Sequence, residues 1–280
     1  MTTFFHKLSN KININKTMKN LVIGNTSQQS YYYPEDYVKI SSRNIDFNFL
    51  RQNSWDSVYI TFAEQRVYDD NIDYMSVNYY YTLKLIENLI HNSNKIVVFT
   101  SCELWNKYVG EIKLEYPFNY SYTDYLLSKQ YLVDEIKKLR YKDDSYNKIV
   151  IIHPFNFNSV YRSKYFLFGK IFDSILNKVI IEMGNTHYYR DMIHTKYLVK
   201  RVIDSKSDEI VGSGRMIHVN DFIRYLYKYF NMDYDYYVIE NKDIKNNHSE
   251  KLYYGHQEKI YTYDDLINDT IEDIKNKLKK

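Results

Sequence analysis

The chain has 280 residues, with 38 Lys and Arg against 35 Asp and Glu, and a net charge of +3 is too near neutral for a dedicated nucleic-acid binder. A single cysteine excludes a disulfide framework and a cysteine-built zinc site, and 44% hydrophobic against 26% charged residues excludes wholesale disorder. The 33 Tyr, set against 7 Gly and 3 Pro, are spread evenly and read as compositional drift, not as a functional signal.

Residues 1–17 are polar and aperiodic and read as a flexible N-terminal extension without the apolar centre of a secretory signal. No run approaches the roughly 18 apolar residues of a membrane span, so a cytoplasmic protein with no membrane partner is expected. Leu21-Val22-Ile23 reads as a first buried strand stopped by Gly24, Tyr37 to Ile40 as a second, and Ser57 to Phe62 as a third. Between residues 74 and 91 the positions Met75, Leu83, Leu85, Ile86, Leu89 and Ile90 predict an amphipathic helix. A buried strand at Lys95 to Phe99, a helix over about 122–140 and another buried strand at Lys148 to Ile152 follow. Short apolar strands without inside–outside alternation, interleaved with helices, predict an α/β fold with a doubly wound parallel sheet covered on both faces. Beyond residue 153 the rhythm changes. Helices near 167–177, 196–203, 219–230 and 263–279, a strand near 179–182 and a polar loop over 241–250 predict a smaller C-terminal lobe over residues 153–280, some of it returning to the sheet of residues 18–152.

A doubly wound sheet binds ligands beyond the carboxyl ends of its strands. After the first strand comes Gly24-Asn25-Thr26-Ser27-Gln28-Gln29-Ser30, where a dinucleotide fingerprint would place Gly at 24, 27 and 30. Two of these are Ser; phosphate contact stays open, and a polar turn is the plainer reading. The second strand begins seven residues after Ser30, so the helix that normally aims its N-terminus at the phosphates is expected to be missing or cut to a turn. After the second strand, Ser41-Ser42-Arg43 suits a ribose 2′-phosphate, or is a surface loop.

Tyr125 and Lys129 stand at i and i+4 on one helical face, where an ammonium favours the phenolate and lowers its pKa. Ser101, just past a buried strand, is placed to hold a substrate oxygen against that phenol. Tyr80 and Lys84 share the spacing and lack such a neighbour, so location rather than spacing separates the two pairs. Cys102 reads as a small strand-end filler. His153, His187 and His194 do not form a metal-ligand spacing, and no metal is expected. The tyrosine runs at 31–33, 79–81 and 234–237 read as packing, not as stacking platforms for nucleic acid, and the final KNKLKK reads as a solvated helix end.

In order along residues 18 to 230, several stretches resemble the extended short-chain dehydrogenase/reductases, the NAD-dependent epimerase/dehydratase family acting on nucleotide sugars. Val22 to Ser27 resembles the phosphate loop with its glycines eroded, and Val77-Asn78-Tyr79-Tyr80-Tyr81-Thr82 resembles the "vNvxgT" helix, which implies a structural role for Tyr80. Phe99 to Trp105 resembles "SSxEVYG", Tyr125 to Lys129 fits YxxxK, His153-Pro154-Phe155-Asn156 resembles "RPxN", and Gly184-Asn185 with Tyr189 to His194 resembles "GN…RDfIhv". Tyr197 stands where the family usually carries Asp.

The resemblance implies a Rossmann-like domain with a substrate lobe and a nicotinamide cofactor, NADP slightly ahead of NAD. Tyr125 would be the acid/base, Lys129 would lower its pKa and touch the nicotinamide ribose, Ser101 would hold the sugar oxygen, and Glu103 would be a second acid/base. Gly24, Thr26, Ser27, Gln28, Ser42, Arg43, Phe62, Ala63, Thr100 and Pro154 would line the cofactor, and Asn156 and Arg190 the nucleotide-sugar substrate. A 4-keto-sugar reductase is the first reading. A 4,6-dehydratase or epimerase using Glu103 is the second, and a binding relic without turnover the third. The resemblance also implies a homodimer pairing the helices at about 75–91 and 122–140.

Overall fold

The computed structural model describes residues 19–66, 71–119, 123–244, 253–257 and 261–279. The extension over residues 1–17 and most of the polar loop over 241–250 lie outside them. In chain order the first half runs β1 (Lys19–Ile23), β2 (Val38–Ile40), α1 (Phe47–Gln52), β3 (Trp55–Ile60), α2 (Thr82–Leu89), β4 (Ser93–Phe99), β5 (Gly110–Ile112), α3 (Asp124–Lys142) and β6 (Ile149–Pro154). The second half runs β7 (Asn156–Asn158), α4 (Leu167–Asn177), β8 (Ile181–Met183), β9 (Tyr189–Arg190), β10 (Met192–His194), α5 (Thr195–Asp204), β11 (Glu209–Val211), β12 (Ile217–His218), α6 (Val219–Tyr229), α7 (Tyr234–Tyr237), β13 (Val238–Glu240), β14 (Tyr253–Gly255) and α8 (Tyr263–Leu278).

Six strands form one parallel sheet in the order β11-β6-β4-β3-β1-β2. This is the expected doubly wound sheet, and β11 is the part of the second half that returns to it. The chain leaves β1 for the edge strand β2 and comes back to the other side of β1 with β3. The crevice therefore opens above the carboxyl ends of β1 and β3. Successive residues within a strand feed opposite faces: Val97 packs with α4, α5, α6 and α8, while Ile96 and Val98 pack with α2 and α3. All six residues of β6 are buried, which is why the apolar runs show no alternation. Each fully buried Val or Ile contributes about 1.5–3 kcal/mol.

Local chemistry sets the boundaries. Thr123 caps α3 by accepting from the Leu126 amide, and Arg140 and Lys142 occupy its last turn, where cations suit the dipole. Thr262 and Asp265 form a reciprocal capping box at the start of α8. The first helix of the usual succession is absent, as the spacing predicts, and a single 3₁₀ turn, Gln28–Tyr31, stands in its place. The helix predicted from residue 74 begins as a π-helical stretch, Met75–Tyr81, before α2. Within it Asn78 is the buried residue. The buried Asn78 accepts from the Glu64 amide at 2.8 Å and donates to the Glu64 carbonyl at 3.1 Å and Ser128 Oγ at 3.2 Å. Tyr80 is 62% exposed, its ring edge-on to that of Tyr79 at 4.8 Å. No helix among the described residues is long and apolar enough to cross a membrane.

Candidate active site

A cavity of about 630 Å³ opens at the carboxyl ends of β3, β4 and β6 and is bordered by the chain between β7 and α4. Ser101, at the end of β4, caps the short 3₁₀ turn Cys102–Trp105 by accepting from the Glu103 amide at 3.2 Å, which fixes its hydroxyl at the cavity wall. Tyr125, in the first turn of α3, lines the same cavity, its phenol near enough for the Ser101 hydroxyl to favour the ionised form. The ring of Tyr74 packs edge-on against Tyr125 with centroids 6.0 Å apart. Burial pushes the phenol well above its ordinary pKa; the Ser101 hydroxyl opposes this, the Glu103 and Cys102 side chains reinforce it, and Arg162 opposes it.

Lys129, expected to activate Tyr125, reaches the same cavity wall from within α3. Lys129 is 2% exposed, and its Nζ donates to the Phe99 carbonyl at 3.1 Å. Burial pulls its pKa down to about 7. Burial, not Lys129, is the largest influence on the phenol and favours its protonated form.

Glu103, Asn156 and Arg190 also line the cavity. Arg190 is 6% exposed, donates from Nη1 to the Tyr189 carbonyl at 2.7 Å and lies 4.4 Å over the Tyr188 ring. Asn156 donates to the Asp191 carbonyl at 3.2 Å. Two cations that the sequence reading missed join them. Lys170 comes from α4, and Arg162 is held by Gln65 Oε1 at 3.0 Å over the Phe166 ring at 3.7 Å. Their only signal in the sequence is that they follow Asn156 closely. Arg162, Lys170, Arg190 and the titrating Lys129 face Glu103, the one carboxylate lining the cavity among the described residues. That balance suits a ligand carrying more than one negative charge.

Gly169 in α4 holds the Arg162 segment in place. A Cβ there would lie 2.0 Å from the Ser163 carbonyl oxygen and 2.8 Å from that of Arg162, both backbone atoms that cannot step aside. Gly169→Ala is expected to displace Arg162, lower the melting temperature and weaken nucleotide diphosphate binding about tenfold in a calorimetric titration.

Phe62, Ala63, Thr100, Pro154, Tyr125 and Lys129 all line the cavity, and their mix of apolar wall, hydroxyl and amine fits a nicotinamide ring with its ribose. Gly24, Thr26, Ser27, Gln28, Ser42 and Arg43 are not brought to it. Gly24 has φ +116°, and a Cβ on it would sit 2.8 Å from Thr61 Oγ1, so the turn itself uses the glycine. Thr26 and Arg43 are exposed, and the Ser42 carbonyl accepts from the Tyr81 hydroxyl at 3.0 Å. The reactive half of a nicotinamide dinucleotide thus fits the residues present, and from the loop after β1 it is Gln29 that lines the cavity.

His153, beneath the cavity floor, is buried against Trp105 and shares a 2.6 Å hydrogen bond with Thr100. Burial pulls its pKa from about 6.5 down to about 3. A depressed histidine contributes stability that is complete above pH 6.5 and is lost as pH falls towards 3. At pH 4.5, two units below the unfolded value, the loss is about 2–3 kcal/mol. Denaturation of His153→Gln between pH 7.5 and 4.5 is expected to show its stability rising relative to the native chain by that amount. Among the described residues, no group of three or more His, Cys, Asp or Glu is placed to hold a metal ion.

No family model matches the sequence, and no characterised relative matches it. Solved structures do. The UDP-N-acetylglucosamine 4-epimerase of Methanobrevibacter ruminantium M1, in complex with UDP-N-acetylmuramic acid, superposes with a TM-score of 0.73 at 16% identity, over 94% of this chain and 99% of the other. RMD from Pseudomonas aeruginosa complexed with NADPH gives 0.72 at 12% identity, over 92% and 100%. The dTDP-glucose 4,6-dehydratase DesIV of Streptomyces venezuelae, with NAD bound, gives 0.70 at 14% identity, over 92% and 97%. At such identities the likeness establishes the fold, and it is the fold that the resemblance in the sequence implies.

Proposed function

We propose that this chain is an NAD(P)-dependent oxidoreductase of a nucleotide-activated sugar, of the extended short-chain dehydrogenase/reductase kind. The observation that carries this reading is the meeting of Tyr125, Ser101 and Glu103 in one cavity whose other wall holds Arg162, Lys170 and Arg190. The superposed structures, solved with NAD, NADPH or UDP-N-acetylmuramic acid, support it. The cationic wall binds the substrate diphosphate. Ser101 holds a sugar oxygen against the Tyr125 hydroxyl, and Lys129 with Thr100 positions the nicotinamide ribose. When bound, the cofactor supplies hydride exchange at the sugar carbon. Tyr125, kept protonated by burial, donates its proton to an oxygen there, which suits reduction of a 4-keto sugar.

Glu103 beside Ser101 favours the second reading, a 4,6-dehydratase or epimerase in which that carboxylate moves a second proton. Incubating the protein with NADPH and dTDP-, UDP- or GDP-linked 4-keto-6-deoxyhexoses, followed by absorbance at 340 nm and NMR of the sugar, tests the proposal. Cofactor oxidation with a reduced carbon 4 is expected, whereas a 4-keto product from a parallel incubation of the parent nucleotide hexose with NAD selects the second reading. A homodimer through the π-helical stretch and α3, where Tyr80 and Tyr131 are 62% and 50% exposed, belongs to the same proposal.

A further inference from the structure

Two adjacent glutamines in the loop after β1 are buried alike and used differently. Gln28 is 7% exposed, and its carboxamide is engaged at both ends within the protein: Nε2 donates to the Phe157 carbonyl at 3.3 Å, and Oε1 accepts from Ser159 Oγ at 3.1 Å and Thr195 Oγ1 at 3.2 Å. Gln29 is 3% exposed and lines the cavity. Its main chain belongs to the 3₁₀ turn, its carbonyl accepting from the Tyr32 amide at 3.0 Å, but its side-chain Oε1 is buried with no hydrogen-bond partner. A buried carboxamide oxygen left without a donor is destabilising, and folded chains keep few of them. Packing alone does not call for it, because an apolar side chain of similar volume would fill the same space.

The place of Gln29 indicates what completes it. Ser27 Oγ and Thr61 Oγ1 hydrogen-bond at 2.8 Å, which ties the loop to the end of β3, and Thr61, Phe62 and Ala63 line the cavity together with Gln29. This is the crevice above β1 and β3, where the residues present fit a nicotinamide ring with its ribose. An orphaned carbonyl oxygen needs a donor. The phosphates of a dinucleotide carry acceptors only, and the nicotinamide ribose is the part set against Lys129 and Thr100. The remaining donor on that half is the N–H of the ring carboxamide.

We propose that Gln29 recognises the carboxamide of the nicotinamide ring, its Oε1 accepting the amide N–H, and so selects dinucleotides that carry that amide. This rests on the function proposed above. The oxygen stays unpartnered in the free chain because its hydrogen bond is kept for the ligand, an exchange of stability for binding. Such a residue has a signature that a packing residue lacks. Removing the oxygen steadies the free protein and weakens its hold on the dinucleotide, whereas removing a packing group harms both.

The test compares the native chain with Gln29→Met in calorimetric titrations of NADPH and of its reduced 3-acetylpyridine analogue, in which an acetyl group replaces the carboxamide. Thermal denaturation of both chains without ligand accompanies them. The native chain is expected to bind NADPH about tenfold more tightly than the analogue. Gln29→Met is expected to bind NADPH about tenfold more weakly than the native chain does, and to bind the two dinucleotides within about threefold of each other. It is also expected to melt about 2–4 °C higher. Equal affinity of the native chain for the two dinucleotides, an undiminished preference in Gln29→Met, or a lower melting temperature of the variant overturns the inference and leaves the proposed function standing. A native chain that binds neither dinucleotide at millimolar concentration overturns both.

Discussion

Tyr125→Phe is expected to lower turnover of the nucleotide sugar by 10²–10⁴-fold while changing its dissociation constant less than threefold. The phenol is the hydroxyl that meets Ser101 in the cavity, and Phe keeps its packing against Tyr74 while removing the proton. The pH dependence separates this from a merely structural loss. Burial holds the phenol protonated across the neutral range, so its own alkaline limb lies above pH 10. Lys129 titrates at about 7 in the same wall, and as pH falls through that value it gains a charge beside the ribose site. A limb near pH 7 in kcat/KM is expected in the native chain and should vanish in Lys129→Met.

Asp191→Ala is expected to cost roughly 3–5 kcal/mol and to lower the melting temperature by about 10 °C. Asp191 is 1% exposed and joins three distant segments. It accepts from the Ser213 amide at 2.6 Å and the Gly214 amide at 3.4 Å beyond β11, and from the Gly255 amide at 3.1 Å in β14. Truncation strands these buried donors. Asp191 also sits between β9 and β10, next to Arg190, so the variant should lose nucleotide diphosphate affinity as well as stability. Asp191→Asn, which keeps an acceptor oxygen, is expected to recover part of both in calorimetry and in the binding titration.

The sheet was readable because its strands are buried on both faces: runs such as Ile149 to Ile152 leave no alternative partner for their side chains. The missing first helix was equally plain, since the interval from Ser30 to β2 cannot hold one. The additional strands β5, β7, β9, β12 and β14 were not, because two or three residues carry no periodicity and their pairing partners are remote in sequence. The i, i+4 spacing put Tyr125 and Lys129 on one face correctly. It could not show that burial would leave Lys129 donating to Phe99 with its pKa drawn down to about 7, because desolvation is a property of the folded surroundings. Arg162 and Lys170 were invisible for a related reason: their place depends on how the chain between β7 and α4 runs along the cavity, and Gly169 permits that course through a close backbone contact with no sequence signature.

On the proposed function, Tyr125 and Ser101 grip an oxygen on the sugar of a nucleotide diphosphate held by Arg162, Lys170 and Arg190. This is checked by NMR of a nucleotide-linked 4-keto sugar after incubation with NADPH deuterated at the transferable position. Deuterium is expected on carbon 4 of the sugar from the native chain and none from Tyr125→Phe. Unlabelled product, or equal labelling by both chains, would contradict it.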